Sequence, residues 1–104
     1  MAMLTFTGKE AVQIALAASR QTEARIDGDP SEPWRPVSNF RARTIASRRP
    51  HDLRLRVDSR MLIETLVGTG IPTGLNEKEF AQTVRSKITE PSRRSALDIV
   101  LSRL

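Results

Sequence analysis

The sequence predicts a single small α+β domain of 104 residues, and three observations carry that prediction. A helix-capping pattern with apolar residues at helical spacing opens the chain, alternation with a period of two runs through the middle, and two further helices follow. The expected order is an N-terminal helix, an Arg-rich antiparallel ribbon of two or three strands, and two C-terminal helices. The segments are residues 1–34 (strand, helix and proline-rich loop), 35–60 (basic β-hairpin) and 61–104 (helical part).

The first segment begins with a short strand and a helix. Leu4–Phe6 has strand character, and Thr7 with Glu10 three residues later forms a capping box that starts a helix. Residues at helical spacing extend this helix to about Ile26. The predicted buried stripe comprises Val12, Ala15, Leu16, Ser19, Thr22 and Ile26. A stiff loop with three prolines follows the helix.

The middle segment is predicted to be a two-stranded antiparallel hairpin. Phe40–Ala46 and Leu53–Val57 both alternate with a period of two, and residues 48–52 between them suit a hairpin loop. If the apolar rows face the core, the arginines of both strands share the exposed face. These arginines are Arg41, Arg43, Arg54 and Arg56, with Arg48 and Arg49 at the tip of the hairpin.

The last segment is mainly helical. Residues 61–67 fit either a short helix or a third strand, and the glycines and proline of 68–74 end this element. Asn76 caps a helix that runs to Ile88. Pro91 opens the final helix. Its apolar face is expected to carry Leu97, Val100, Leu101 and Leu104.

Positive charge is concentrated in the middle segment. The whole chain has a net charge of +5, whereas residues 35–60 alone carry eight arginines against two aspartates, a local net charge of +6. Arginine presents a planar fork that suits phosphate and carboxylate groups, and an anionic partner would relieve repulsion within an arginine row. The same arginines could equally form a solvated outer row, or fit internally against acidic side chains of the first segment. The acidic candidates are Glu23, Asp27, Asp29 and Glu32.

The second half of the chain resembles a ribbon-helix-helix repressor over about residues 52–90. The resemblance rests on an Arg-bearing strand, a helix, a glycine-containing turn and the helix capped by Asn76. The sequence departs from that pattern at Gly68, Gly70 and Pro72, where the first helix of the family is continuous. The resemblance would imply a DNA-binding protein, and the departure limits the first helix to about two turns.

Residues suited to catalysis or cofactor binding are sparse. His51 is the sole histidine and cysteine is absent, which excludes thiolate zinc sites, iron–sulfur clusters and sites that need several imidazoles. Asp27, Asp29 and Ser31 copy the opening of a calcium-binding loop, but Glu32 stands where that loop needs glycine. We therefore expect no enzymatic activity, no metal and no cofactor.

These patterns favour a small basic binding protein, a nucleic-acid-binding regulator of bacterial or phage type that binds DNA or another polyanion through its arginine ribbon. The alternative is a protein–protein interaction module (inhibitor, assembly factor or adaptor) that docks on an acidic protein surface. Trp34, in the proline-rich loop, is either a partner anchor or a lid over the core. A homodimer is expected, and the absence of cysteine, an apolar span and a signal peptide favours the cytoplasm and no membrane contact.

Overall fold

The computed structural model describes residues 3–18, 22–26, 28–68 and 70–104. Its strands are β1 (Met3–Thr7), β2 (Thr22–Ile26), β3 (Arg35–Pro36) and β4 (Leu53–Asp58). Its helices are α1 (Gly8–Ala17), α2 (Asn39–Arg48), α3 (Ser59–Val67), α4 (Glu77–Ser86) and α5 (Pro91–Leu101), and a 3₁₀ turn (Pro50–Asp52) joins α2 to β4. The predicted α+β class is confirmed.

The strands form one antiparallel sheet in the order β1-β4-β2-β3. The register pairs Phe6 with Leu55 on one side of β4 and Ala24 with Leu55 on the other. Strand alternation therefore places apolar residues of all three strands on one face. β4 shows this most plainly, because Leu53, Leu55 and Val57 are buried while the residues between them are half-buried.

The helices cover the apolar face of the sheet. α1 packs on β4 with its buried Ala11, Ile14 and Ala15, and α2 and α5 pack against α1. α3 contacts both β4 and α5, so that its buried Leu62 and Leu66 complete the core. The opposite face of the sheet carries mainly polar and charged side chains, together with Met3 and Trp34. None of the helices in the described ranges is long and apolar enough to cross a membrane.

The predicted Asn76 cap of α4 and the predicted start of the last helix at Pro91 are confirmed. Asn76 caps α4 by accepting the backbone N–H of Glu79 at 2.9 Å. Glu90 caps α5, where hydrogen bonds from the Ser92 hydroxyl and from the N–H groups of Arg93 and Ser92 hold the pKa of its carboxyl below the usual value. Residues 61–67, for which the sequence allowed either a helix or a strand, are helical. Asp58 caps α3, and Gly68 (φ +81°) ends it in a left-handed conformation.

The predicted helix to Ile26 is wrong beyond Ala17. Thr22–Ile26 forms β2 instead, and its buried positions Thr22 and Ala24 alternate with half-buried Glu23 and Arg25. Residues 22–26 were predicted as helix because Thr22 and Ile26 lie four residues apart, which is also the spacing of one helix face. Leu16, assigned to the buried stripe, is 40% exposed, and Ser19 lies outside the described residues.

The predicted hairpin is also wrong, because Phe40–Ala46 lies in helix α2. Ser38 caps this helix by accepting the Arg41 N–H at 3.2 Å, and the Thr44 hydroxyl donates back to the Phe40 carbonyl at 3.0 Å. Ala42 and Ile45, three residues apart, are the buried positions, whereas Phe40 is 82% exposed. Residues 35–60 therefore contain a short strand, a helix and one long strand.

Two substitutions distinguish the helix from the predicted strand. A strand would bury Phe40 and expose Ile45, whereas α2 does the reverse. We expect Ile45→Ala to lower the free energy of unfolding by about 2–4 kcal/mol, because it removes buried methylene groups. Phe40→Ala should change it by less than about 0.5 kcal/mol. Urea unfolding of both variants measures this, and a larger loss for Phe40→Ala would contradict the helix.

Candidate anion-binding surfaces

The six predicted arginines do not share one face. Arg54 and Arg56 lie on β4, on the face of the sheet opposite the helices, together with Arg25 of β2, which pairs with Arg54. The other four belong to α2 or directly follow it, on the helical side of the fold: Arg41, Arg43, Arg48 and Arg49. The arginine row therefore becomes two separate surfaces.

One arginine of the sheet surface, Arg56, has its counter-charge within the chain. Arg56 Nε donates to Glu23 Oε2 at 3.0 Å, and the register places these two residues directly opposite each other on β4 and β2. Both side chains are about two-fifths exposed, so the pair contributes modestly to stability. The main effect of the pair is on the charge of the surface. The predicted ribbon used the guanidinium of Arg56 to bind a partner, but in the structure this group already binds the carboxylate of Glu23.

Trp34 also lies on this surface. Its ring centre is 4.4 Å from the guanidinium carbon of Arg56 and 5.0 Å from that of Arg25, which is cation–π geometry. The side chain is half-buried, and it does not belong to the apolar core of the described chain. Trp34 therefore packs on arginines of the open sheet face. The sequence had allowed two roles, a lid over the core or an anchor for a partner, and this position corresponds to neither.

Two further arginines of the predicted site have acidic partners. Arg41 forms an ion pair with Glu32 of the proline-rich loop, and Arg49 Nε lies 2.9 Å from Asp52 Oδ2. Asp29 instead accepts hydrogen bonds from the hydroxyl and N–H of Ser31, which lower its pKa. Of the acidic candidates for an internal fit, Glu23 and Glu32 thus pair with predicted arginines. Asp27 lies outside the described residues.

The outer face of α2 is different, because its arginines have no acidic partner in the described part of the chain. Five residues at helical spacing line one shallow depression on this face: Phe40, Arg43, Thr44, Ser47 and Arg48. No ion pair or side-chain hydrogen bond joins Arg43 or Arg48 to any other residue that the structure describes. We call these five residues the α2 face; it carries two positive charges and no carboxylate.

A second depression lies between α1 and α2. It has a volume of about 380 Å³ and is lined by Lys9, Val12 and Gln13 of α1 together with Ala46 and His51. Ala46 precedes Ser47 of the α2 face, so the two depressions lie side by side on α2. Lys9 adds a further positive charge, and His51 is exposed at the 3₁₀ turn. Among the described residues, no cluster of three or more metal-ligating side chains occurs.

No family model, no curated protein and no solved structure matches this chain. The ribbon-helix-helix resemblance also fails on topology. The ribbon of that family forms when strands of two subunits pair, whereas β4 already has β1 on one side and β2 on the other. Its backbone is therefore not available to a second copy.

Phe40, Lys9 and His51 were not among the predicted binding residues. A helical signal for Phe40 exists in the sequence, since Ser38 can cap a helix in which 40, 43, 44, 47 and 48 fall on one side. No local signal relates Lys9 to Ala46, because their proximity arises from the packing of α1 on α2.

Trp34 offers a direct probe of the sheet surface, because it is the sole tryptophan. We expect Arg56→Ala to remove the cation–π contact, expose the indole and shift its fluorescence emission to longer wavelength. Quenching by acrylamide should increase in parallel. Arg94→Ala, an exposed arginine on α5, is the matched control and should leave the emission unchanged. Equal spectra for all three proteins would contradict the Trp34–Arg56 contact.

Proposed function

We propose that this chain is a non-enzymatic nucleic-acid-binding protein that contacts the phosphate backbone through the α2 face. The observation that supports this most is the presence of Arg43 and Arg48 on one exposed helix face, where no described residue offers them a carboxylate partner. Unpaired arginines bind phosphates without first breaking an internal ion pair. Arg54 and Arg56 lack this advantage, since their surface is occupied by Glu23 and Trp34.

The dimensions of α2 suit this role. Its ten residues extend for about 15 Å, and Arg43 and Arg48 are separated by about 7.5 Å along the axis. Ser47 lies between the arginines and provides a hydroxyl donor for phosphate oxygens, whereas the Thr44 hydroxyl donates to the Phe40 carbonyl. Lys9 and the net charge of +5 add long-range attraction to a polyanion.

The test is the salt dependence of binding to a fluorescent duplex. We expect the wild type to bind at low salt, and the double variant Arg43→Gln/Arg48→Gln to bind more weakly with a salt slope smaller by about two. The matched control is Arg93→Gln/Arg94→Gln, which removes the same charge from exposed positions of α5. It should leave most of the binding intact.

Two outcomes would contradict the proposal. Absence of wild-type binding at low salt would remove nucleic acid as the partner. Equal losses in the two double variants would show that net charge, rather than the α2 face, determines the affinity.

Phe40 favours a second candidate function, docking on an acidic protein. Binding of phosphates gives no role to a phenyl ring that is 82% exposed, whereas aromatic residues and arginine are enriched in protein–protein interfaces. In this case Phe40 fills an apolar pocket of the partner, and Arg43 and Arg48 contact carboxylates around it.

The two candidates differ in their response to Phe40→Ala. Duplex binding should change little in this variant if phosphates are the target. The protein partner would first be captured from cells, identified and purified. Its affinity for the Phe40→Ala variant should be at least about tenfold lower than for the wild type, because a buried aromatic anchor is lost. Titration calorimetry with the purified partner measures this. An unchanged affinity would remove Phe40 as the anchor.

A further inference from the structure

We propose that strand β1 is a self-association edge, at which a second copy of this chain adds its own β1 in antiparallel orientation. Four strands of each copy would then form one continuous eight-stranded sheet. This inference does not depend on the α2 face, because no residue of β1 belongs to that face and all residues of β1 are uncharged.

The two edges of the sheet are built differently. The β3 edge is two residues long and consists of Arg35 and Pro36, a charged residue and one without a backbone N–H. Short length, charge and proline are the usual features that prevent further strand pairing. The β1 edge has none of them, since Met3–Thr7 is five residues long, uncharged and free of proline. In the part of the chain that the structure describes, β1 pairs only with β4.

The sequence of β1 is self-complementary in one register. Antiparallel pairing about a twofold axis through Thr5 places Leu4 of each copy opposite Phe6 of the other, and Met3 opposite Thr7. Leu4 and Phe6 lie on the helix side of the sheet in both copies, so the apolar face continues across the junction. A shift by one residue would place Phe6 opposite Thr5, and the apolar row would meet a polar one.

The exposure of β1 agrees with this occupant. Leu4 is only half-buried against the core and Met3 is 57% exposed, so both would lose apolar surface to a second strand. Charge does not oppose the contact locally, although each copy carries +5. Arg103, whose guanidinium lies 5.3 Å from the centre of the Phe6 ring, is paired with Glu10 at 2.9 Å.

The register can be tested by charge exchange at Thr5. Thr5 is exposed on the face opposite the helices, where the register pairs it with Arg56 of β4. Thr5→Glu should therefore stabilise the monomer slightly and Thr5→Lys destabilise it slightly, so the unfolding of each variant is measured beside its association. Each variant alone places two like charges opposite each other, and we expect its dimer to dissociate about fivefold more readily than that of the wild type. Mixing the two variants should restore association through a Glu–Lys pair. Gln82→Glu and Gln82→Lys, on exposed α4 positions, are the matched controls.

Sedimentation over a range of protein concentrations measures these equilibria, with circular dichroism to confirm folding. A wild type that stays monomeric at the highest concentration would overturn the proposal. A dimer that neither Thr5 variant weakens would also overturn it, because the contact would then lie elsewhere.

Cross-linking provides a second test that does not depend on charge. Opposed residues of antiparallel strands have Cα atoms about 4.5 or 5.5 Å apart, within the range that a disulfide spans. The chain has no cysteine, so Thr5→Cys introduces a single thiol. Oxidation should link this variant into dimers, whereas Gln82→Cys should stay monomeric. Equal cross-linking of both variants, or of neither, would contradict the register.

Discussion

The alternation of β4 is the constraint on which the rest of the fold depends. Its apolar residues Leu53, Leu55 and Val57 are all buried beneath the helices, so the charged residues between them must point to the other face. Because β1 and β2 pair with both edges of β4, Arg54 and Arg56 lie in the middle of the sheet rather than at its rim. Arginines at such positions need nearby counter-charges, and Glu23 supplies one directly opposite Arg56.

The central position of β4 also explains why the sequence predicted the middle segment incorrectly. Phe40–Ala46 satisfies a period of two as well as a helical spacing, since Ala42 and Ile45 alone form an adequate buried pair for one helix. A hairpin would require a free edge of β4 next to this segment. Both edges are taken by residues far away in the sequence, and no local pattern contains that information. Where caps and apolar spacing agreed, as in α4 and α5, the predicted helices and their starts are confirmed, although Leu104 follows the end of α5 and is 51% exposed rather than part of its apolar face.

The candidate site could be predicted in its residue types but not in its geometry. The excess of arginine in residues 35–60 identified the basic part of the chain, and the acidic side chains of the first third were recognised as possible counter-charges. Which arginines remain unpaired depends on the path of the proline-rich loop, which brings Glu32 to Arg41 and Trp34 to Arg56. Residues 40–46 were predicted as a strand and form part of helix α2. This difference places Arg43 and Arg48 on another surface than Arg54 and Arg56.

The pairing of charges within the chain leaves two outward surfaces of opposite character. The α2 face is cationic, and the polyanion binding proposed for it would weaken at higher salt, because the release of counterions is then less favourable. The β1 edge is uncharged, while the copies that would meet there carry +5 each, so salt screens the repulsion between them and favours their association. Under these two proposals, a higher ionic strength would weaken binding at the α2 face and favour pairing at the β1 edge. A bound polyanion has the same screening effect on two cationic copies, which would make binding at α2 and strand pairing at β1 mutually supporting although no residue is shared between them.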